Sequence, residues 1–143
     1  MDPQTRELTK ENLADIVQKG GIVLIDWWAA WCGPCRAFAP TYASVAAKHP
    51  DVVFGKVDTE AEPAIAGAFQ IRAIPTLMVF RDGILLFRES GALPASALEE
   101  LLRTVRALDM TDVRKQMEAE RAEAMSAEAK SATAEAKTAT AEE

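Results

Sequence analysis

The stretch Val23–Cys35, VLIDWWAAWCGPC, sets an aspartate inside an otherwise apolar run and ends on both of the chain's cysteines. A strand exposed on one face alternates apolar and polar residues, whereas Ile22–Trp28 is apolar almost throughout. It therefore reads as a strand covered on both sides. Asp26 is the exception. A carboxylate buried without a partner costs several kcal/mol or keeps its proton, so its presence six residues before Cys32 calls for a role or a partner.

Downstream, GPCRAFAPTYASVAAKH has helical spacing through Phe38, Tyr42, Val45 and Ala46, with Pro40 as an expected kink. A helix starting at the cysteines places Cys32 at its N-terminus and Cys35 one turn in, on the same face, so the two sulfurs can meet. Cys32 then sees unsatisfied backbone N–H groups and the positive end of the helix dipole, which favour a thiolate. Cys35 is turned inward, where desolvation keeps it a thiol. Cys32 is the candidate nucleophile and Cys35 the candidate resolver.

By the two-residue period of a strand, Leu24, Asp26 and Trp28 share one side and Trp27 the other. Asp26 is then expected beneath the cysteines, on the Cys35 side, as a carboxylate with a raised pKa that accepts the resolving proton. Lys56, in FGKVD on the neighbouring strand, is the candidate modulator of that carboxylate. The plainer alternative has Asp26 pairing with Lys56 and no kinetic part. Trp27 is read as core filling.

Outward from this stretch, LTKENLADIVQKGG is an amphipathic helix with Thr9 as its expected N-cap and Gly20-Gly21 as its stop. DVVFGKV is a strand, and AEPAIAGAFQI a short helix with Pro63 in its first turn. PTLMVFRDGILLFRE is two strands joined at Asp82-Gly83, a hairpin signal. LPASALEELLRTVRAL is a closing helix with Pro94 at its start and a stripe of Leu98, Leu101, Leu102 and Val105. Strand–helix–strand followed by a hairpin and a helix gives an α/β fold, a mixed central sheet flanked by helices on both faces, over residues 1–108.

Residues 109–143 differ. They contain no Gly, Pro or aromatic residue, are alanine-rich, and repeat AEAKSAT (Ala127–Thr133) as AEAKTAT (Ala134–Thr140). Helix fraying to disorder is the expectation, since alanine is the best helix former but an alanine or polar seam buries little area. The competing reading is a self-association or docking helix anchored by Met110, Val113 and Met117.

The totals exclude several classes. A net charge of −6 without a basic cluster gives no reason to expect nucleic acid. No run approaches the roughly 20 apolar residues of a membrane span, and the N-terminus lacks the pattern of a signal peptide, so a cytoplasmic protein is expected. Two cysteines three apart form no structural framework and point to redox chemistry or metal binding. A closed zinc site needs four ligands. The sole histidine, His49, lies a helix away, some 20 Å at ~1.5 Å per residue, and is expected at the surface. No metal and no bound cofactor are expected.

DWWAAWCGPC, IPT (Ile74–Thr76), RDG ahead of the second hairpin strand and GAL (Gly91–Leu93) occur in the order and near the spacing of the thioredoxin family, which residues 5–108 resemble. WCGPC is the specific element; CxxC alone would be weak. The resemblance implies the thioredoxin fold with Pro75 in the cis form. It also implies a protein disulfide oxidoreductase working mainly as a reductant, its Cys32–Cys35 disulfide recycled by a thioredoxin reductase. The partners it implies are disulfide-containing protein substrates. Ile74 and Pro75 would present backbone to an extended substrate as an added strand, with Trp31, Gly33, Pro34, Ile74, Gly91 and Ala92 forming a shallow apolar rim. Gly91 reads equally as a turn residue and as room for the partner's backbone. Thr59 and Ser90 stand at rim positions that are often apolar and are expected to make the groove more polar. A monomer is expected, with association through the tail as the alternative. The rival function is a binding or chaperone-associated module of the same fold whose tail makes the partner contacts.

Overall fold

A computed structural model describes residues 4–141, with side-chain environments through Thr133. Two compact units divide the chain, residues 1–105 and 106–143. The first is built on a five-stranded mixed sheet, and the second contains one long helix.

The elements, in chain order, are β1 (Arg6–Glu7), α1 (Leu13–Gln18), β2 (Ile22–Trp28), α2 (Gly33–Lys48), β3 (Val53–Asp58), α3 (Pro63–Ala68), β4 (Thr76–Arg81), β5 (Ile84–Ser90), α4 (Ala95–Ala107) and α5 (Met110–Ala141). Strand order is β1-β3-β2-β4-β5. The pairs of β3 with β1 and β2 are parallel; those of β4 with β2 and β5 are antiparallel. β2 is therefore central, which is why its residues are apolar on both faces and buried from Val23 to Trp27. Leu24, Leu77, Val79 and Phe54 pack against Phe38, Tyr42 and Val45 of α2 and Leu98, Leu102 and Val105 of α4. On the opposite face Ile25, Trp27, Val57 and Met78 pack against Ile16 and Val17 of α1 and Ala66 of α3. Each large apolar side chain so enclosed contributes about 1.5–3 kcal/mol.

Trp27 lies in this second layer, fully enclosed, its ring centroid 5.3 Å from that of Phe69, as strand alternation required. The hairpin forms as its sequence indicated. Asp82 and Gly83 both take positive φ, 53° and 81°, as a two-residue turn between right-twisted strands demands. α2 runs through Pro40 without a break.

Three local expectations change. The first helix does not start after Thr9. Residues 9–12 form a turn in which the Thr9 N–H donates to Asn12 Oδ1 at 2.7 Å, and Asn12 takes the N-cap position. The Asn side chain competes for backbone within its own turn, so the regular helix begins three residues later than the capping residue suggested. The second is β1, which pairs with Gly55 and Lys56 of β3 although no strand was expected there; two residues are too few to show a period. The third is His49, which is not simply a surface residue. It is half-buried at the C-cap of α2, with Nε2 2.7 Å from Glu99 Oε2 on α4 and its ring stacked on Phe54. The end of α2, β3 and α4 meet there, and a lone histidine in a sequence carries no sign of that.

The second unit contains α5, whose described side chains beyond Val113 are exposed. Met110 is buried and Val113 half-buried at its start; beyond them the described residues, largely alanine and charged side chains, form no continuous apolar stripe.

Candidate active site

The site forms where β2 ends. Ala29 to Trp31 leave the sheet, and Cys32 becomes the N-cap of α2, in extended backbone, with Pro34 in the first turn. Pro34 has no N–H to leave unsatisfied there, and its fixed φ suits a helix start. Cys32 and Cys35 form a disulfide with Cα atoms 5.2 Å apart. The Cys35 N–H donates to Cys32 Sγ at 3.2 Å. That bond, together with the helix N-terminus, stabilises negative charge on Cys32 whenever the pair is reduced. The two cysteines and Ala29 form a small apolar cluster with Trp28 and Ile74 packed against it.

The Ile74–Pro75 bond is cis, and the Ile74 carbonyl lies 3.7 Å from Cys32 Sγ. The Pro75 ring is buried and Ile74 half-buried, while Trp31, Gly33, Pro34, Gly91 and Ala92 are exposed around them. Gly91 has φ +111°, and a Cβ there would meet nothing within 4 Å. Its glycine identity follows from backbone conformation; its N–H donates to Pro75 O at 2.8 Å.

Asp26 is opposite Lys56 on β3 and Leu77 on β4, on the face of the sheet that α2 covers. It is 1% exposed, and neither carboxylate oxygen has a hydrogen-bond partner. Burial raises its pKa from 3.8 to about 7, against the opposing pull of the Lys56 charge. Lys56 forms no ion pair with it; the ammonium lies 5.0 Å from the centroid of the Trp28 ring. Tyr42, also facing this layer, is held neutral by burial and by the Asp26 charge, and its hydroxyl donates to Gly55 O at 2.7 Å. A cleft lined by Glu7, Trp28, Pro40, Lys56 and Asp58 opens on the Lys56 side and does not touch the cysteines.

Sequence reasoning missed Glu60. Its Oε1 accepts from the Trp31 indole Nε1 at 2.8 Å and fixes a side chain that is 66% exposed. Nothing local links positions 29 residues apart. The two hydroxyls expected to make the groove polar are both engaged internally. Thr59 Oγ1 donates to Trp28 O at 3.0 Å, and Ser90 Oγ lies 3.1 Å from Thr76 Oγ1.

A cysteine pair capping a helix at the end of a central strand, beside a cis-proline turn, defines a thiol–disulfide exchange site. Comparison with known proteins narrows the class. A family model described as Thioredoxin matches residues 4–104. "Putative thioredoxin 2" of Streptomyces coelicolor is 51% identical over 120 residues, 84% of this chain and 90% of that protein. Thioredoxin C-3 of Corynebacterium nephridii is 44% identical over 97 residues, 67% of each chain. A solved chain from work on the thiol resolving mechanism in yeast mitochondrial 1-Cys peroxiredoxin via glutathione/thioredoxin systems superposes with a TM-score of 0.65. It is 30% identical and covers 70% of this chain and 94% of its own. The chain belongs to the thioredoxin family and is a dithiol–disulfide oxidoreductase whose redox-active pair is Cys32–Cys35. Family membership implies a reductase and disulfide substrates as partners in general terms. No helix among the described residues is long and apolar enough to cross a membrane.

Proposed function

We propose that the protein works as a reductant of protein disulfides and that Asp26 is the base that frees Cys35 for the resolving step. The observation that carries this is the buried Asp26 carboxylate. It has no hydrogen-bond partner, faces the helix that bears Cys35, and holds its proton up to about pH 7.

In the first step the Cys32 thiolate attacks one sulfur of the substrate disulfide. That S–S bond breaks, a Cys32–substrate mixed disulfide forms, and the departing substrate thiolate takes a proton from solvent. Cys35 then passes its S–H proton to the Asp26 carboxylate and attacks Cys32 Sγ. The mixed disulfide breaks, the second substrate thiolate leaves, and the protein is left with the Cys32–Cys35 disulfide. The substrate has gained two electrons and the protein has lost two. A partner reductase returns them. Lys56 tempers the carboxylate by lowering its proton affinity, and with the Trp28 ring it keeps a positive charge close enough to matter without neutralising the base.

Ile74 and Pro75 offer backbone to an extended substrate segment, with Trp31, Gly33, Pro34, Gly91 and Ala92 as the rim. We place the protein in the cytoplasm, in keeping with cysteines limited to the redox pair.

The test couples the protein to NADPH, a bacterial thioredoxin reductase and insulin. Wild-type turnover is expected, declining as pH falls through about 7, where Asp26 takes up its proton. Asp26→Asn is expected to run at least about tenfold slower near pH 7.5 and to lack that inflection. Its deficit should close above about pH 9, where a free thiol ionises unaided. Equal profiles would remove Asp26 from the chemistry. A Cys32→Ser/Cys35→Ser variant that retained the protein's cellular role would favour the binding-module reading.

A further inference from the structure

β5 is an edge strand, and its C-terminal end grips the segment that carries the Ile74–Pro75 bond. Arg88 donates from Nη1 to Phe69 O at 2.5 Å and from Nη2 to Gln70 O at 2.8 Å. The Gly91 N–H donates to Pro75 O. Between these two holds stands Ser90, directly opposite Thr76 in the sheet. Its Oγ lies 3.1 Å from Thr76 Oγ1, which in turn lies 2.5 Å from Ala73 O.

Counting protons sets the direction of this chain. A carbonyl only accepts, so Thr76 spends its single hydroxyl proton on Ala73 O, and Ser90 must supply the proton in the bond to Thr76. Thr76 is 2% exposed, whereas Ser90 is exposed. The pair thus carries a hydrogen-bonded link from the strand edge to the peptide plane just ahead of Ile74. That plane governs how the Ile74 carbonyl, 3.7 Å from Cys32 Sγ, and the following backbone face the groove.

We propose that Ser90 is a positioning residue for protein substrates: through Thr76 it fixes the Ala73–Ile74 peptide, so that the Ile74–Pro75 backbone is held ready to pair with an extended polypeptide. The proposal rests on the reductase reading above, with Ile74 and Pro75 as the receiving backbone. The substrate class that uses this link is a disulfide flanked by extended peptide with free backbone N–H and C=O groups. A small aromatic disulfide offers no backbone to pair and makes no use of it.

Valine and threonine have the same shape and differ by one hydroxyl, so Ser90→Val and Ser90→Thr separate the hydroxyl from packing and strand propensity. The pre-reduced full chain is reacted with insulin and, separately, with 5,5′-dithiobis(2-nitrobenzoate), and second-order rate constants are compared. Ser90→Val is expected to react about fivefold more slowly with insulin, the scale of one neutral hydrogen bond. Ser90→Thr is expected to match wild type on insulin, the ratio of insulin rate to small-disulfide rate is expected to fall in Ser90→Val alone, and circular dichroism with thermal unfolding verifies that both variants are folded. Equal insulin rates for the Val and Thr variants would overturn the proposal. So would a Val variant slowed by the same factor on both disulfides. A wild-type protein inert toward both removes the reductase reading, and this proposal with it.

Discussion

At the scale of single residues, Asp26 was legible because it breaks a pattern. A carboxylate in an apolar strand stands out in any reading of the chain, and its burial follows from the central place of β2. Its raised pKa has a consequence for stability. Below about pH 4 both folded and unfolded chains hold the Asp26 proton. As pH rises toward 7 only the unfolded chain releases it, since the folded pKa is about 7 and the reference value 3.8. The folded state therefore loses stability through that window, by up to about 4 kcal/mol, and loses no more above it. Chemical denaturation is expected to show Asp26→Asn and wild type close in stability at pH 4 and the variant clearly more stable at pH 8. Contacts made across the fold were not legible in this way. The Trp31–Glu60 bond and the Ser90–Thr76–Ala73 chain join residues whose sequence positions carry no mutual signal. The first joins two loops brought together only by the finished sheet, and the second depends on the register of β4 against β5, which shifts between Val79 and Phe80.

At the scale of elements, those with a strong period or an unambiguous punctuation mark were read correctly: β2 from its apolar run, the hairpin from Asp82-Gly83, α4 from its leucine stripe. β1 escaped notice because it is two residues long and borrows its existence from β3. What permits that borrowing is Gly55. A Cβ placed there would run into the Cγ and Cδ1 of Leu8, itself fully enclosed, so β1 and β3 pack at this point only because one residue has no side chain. Gly55→Ala is expected to cost about 1–3 kcal/mol in urea denaturation, the usual toll of overpacking. Combined with Leu8→Ala, the cost should fall short of the sum of the two single changes, because the smaller side chain removes the clash. The α1 N-cap was misplaced for an equally local reason, Asn12 bonding back to Thr9.

At the scale of the whole molecule, every residue assigned to the chemistry or the groove falls between Asp26 and Ala92, inside the first compact unit and inside the family-model match. A chain ending at Leu108 is expected to reduce insulin within about twofold of the full-length rate, since it keeps every group that acts on the transition state. A larger loss would assign residues 109–143 a part in turnover. The change of composition at Asp109 made the extension plain in the sequence. The alignment with the Streptomyces coelicolor relative is longer than the family-model match and reaches into this extension, so its early part is shared with at least one other protein. Sheet order also has a temporal side. Asp26 sits opposite Leu77, which follows it by 51 positions, and synthesis at roughly 5–20 residues per second separates the two by about 3–10 s. For most of that interval the cysteines have been made while β4, which closes the sheet over Asp26 and leads out of the Ile74–Pro75 turn, has not. Nascent chains are thus born with two unguarded thiols, and pulse alkylation of ribosome-bound chains should find both cysteines reactive until β4 has emerged.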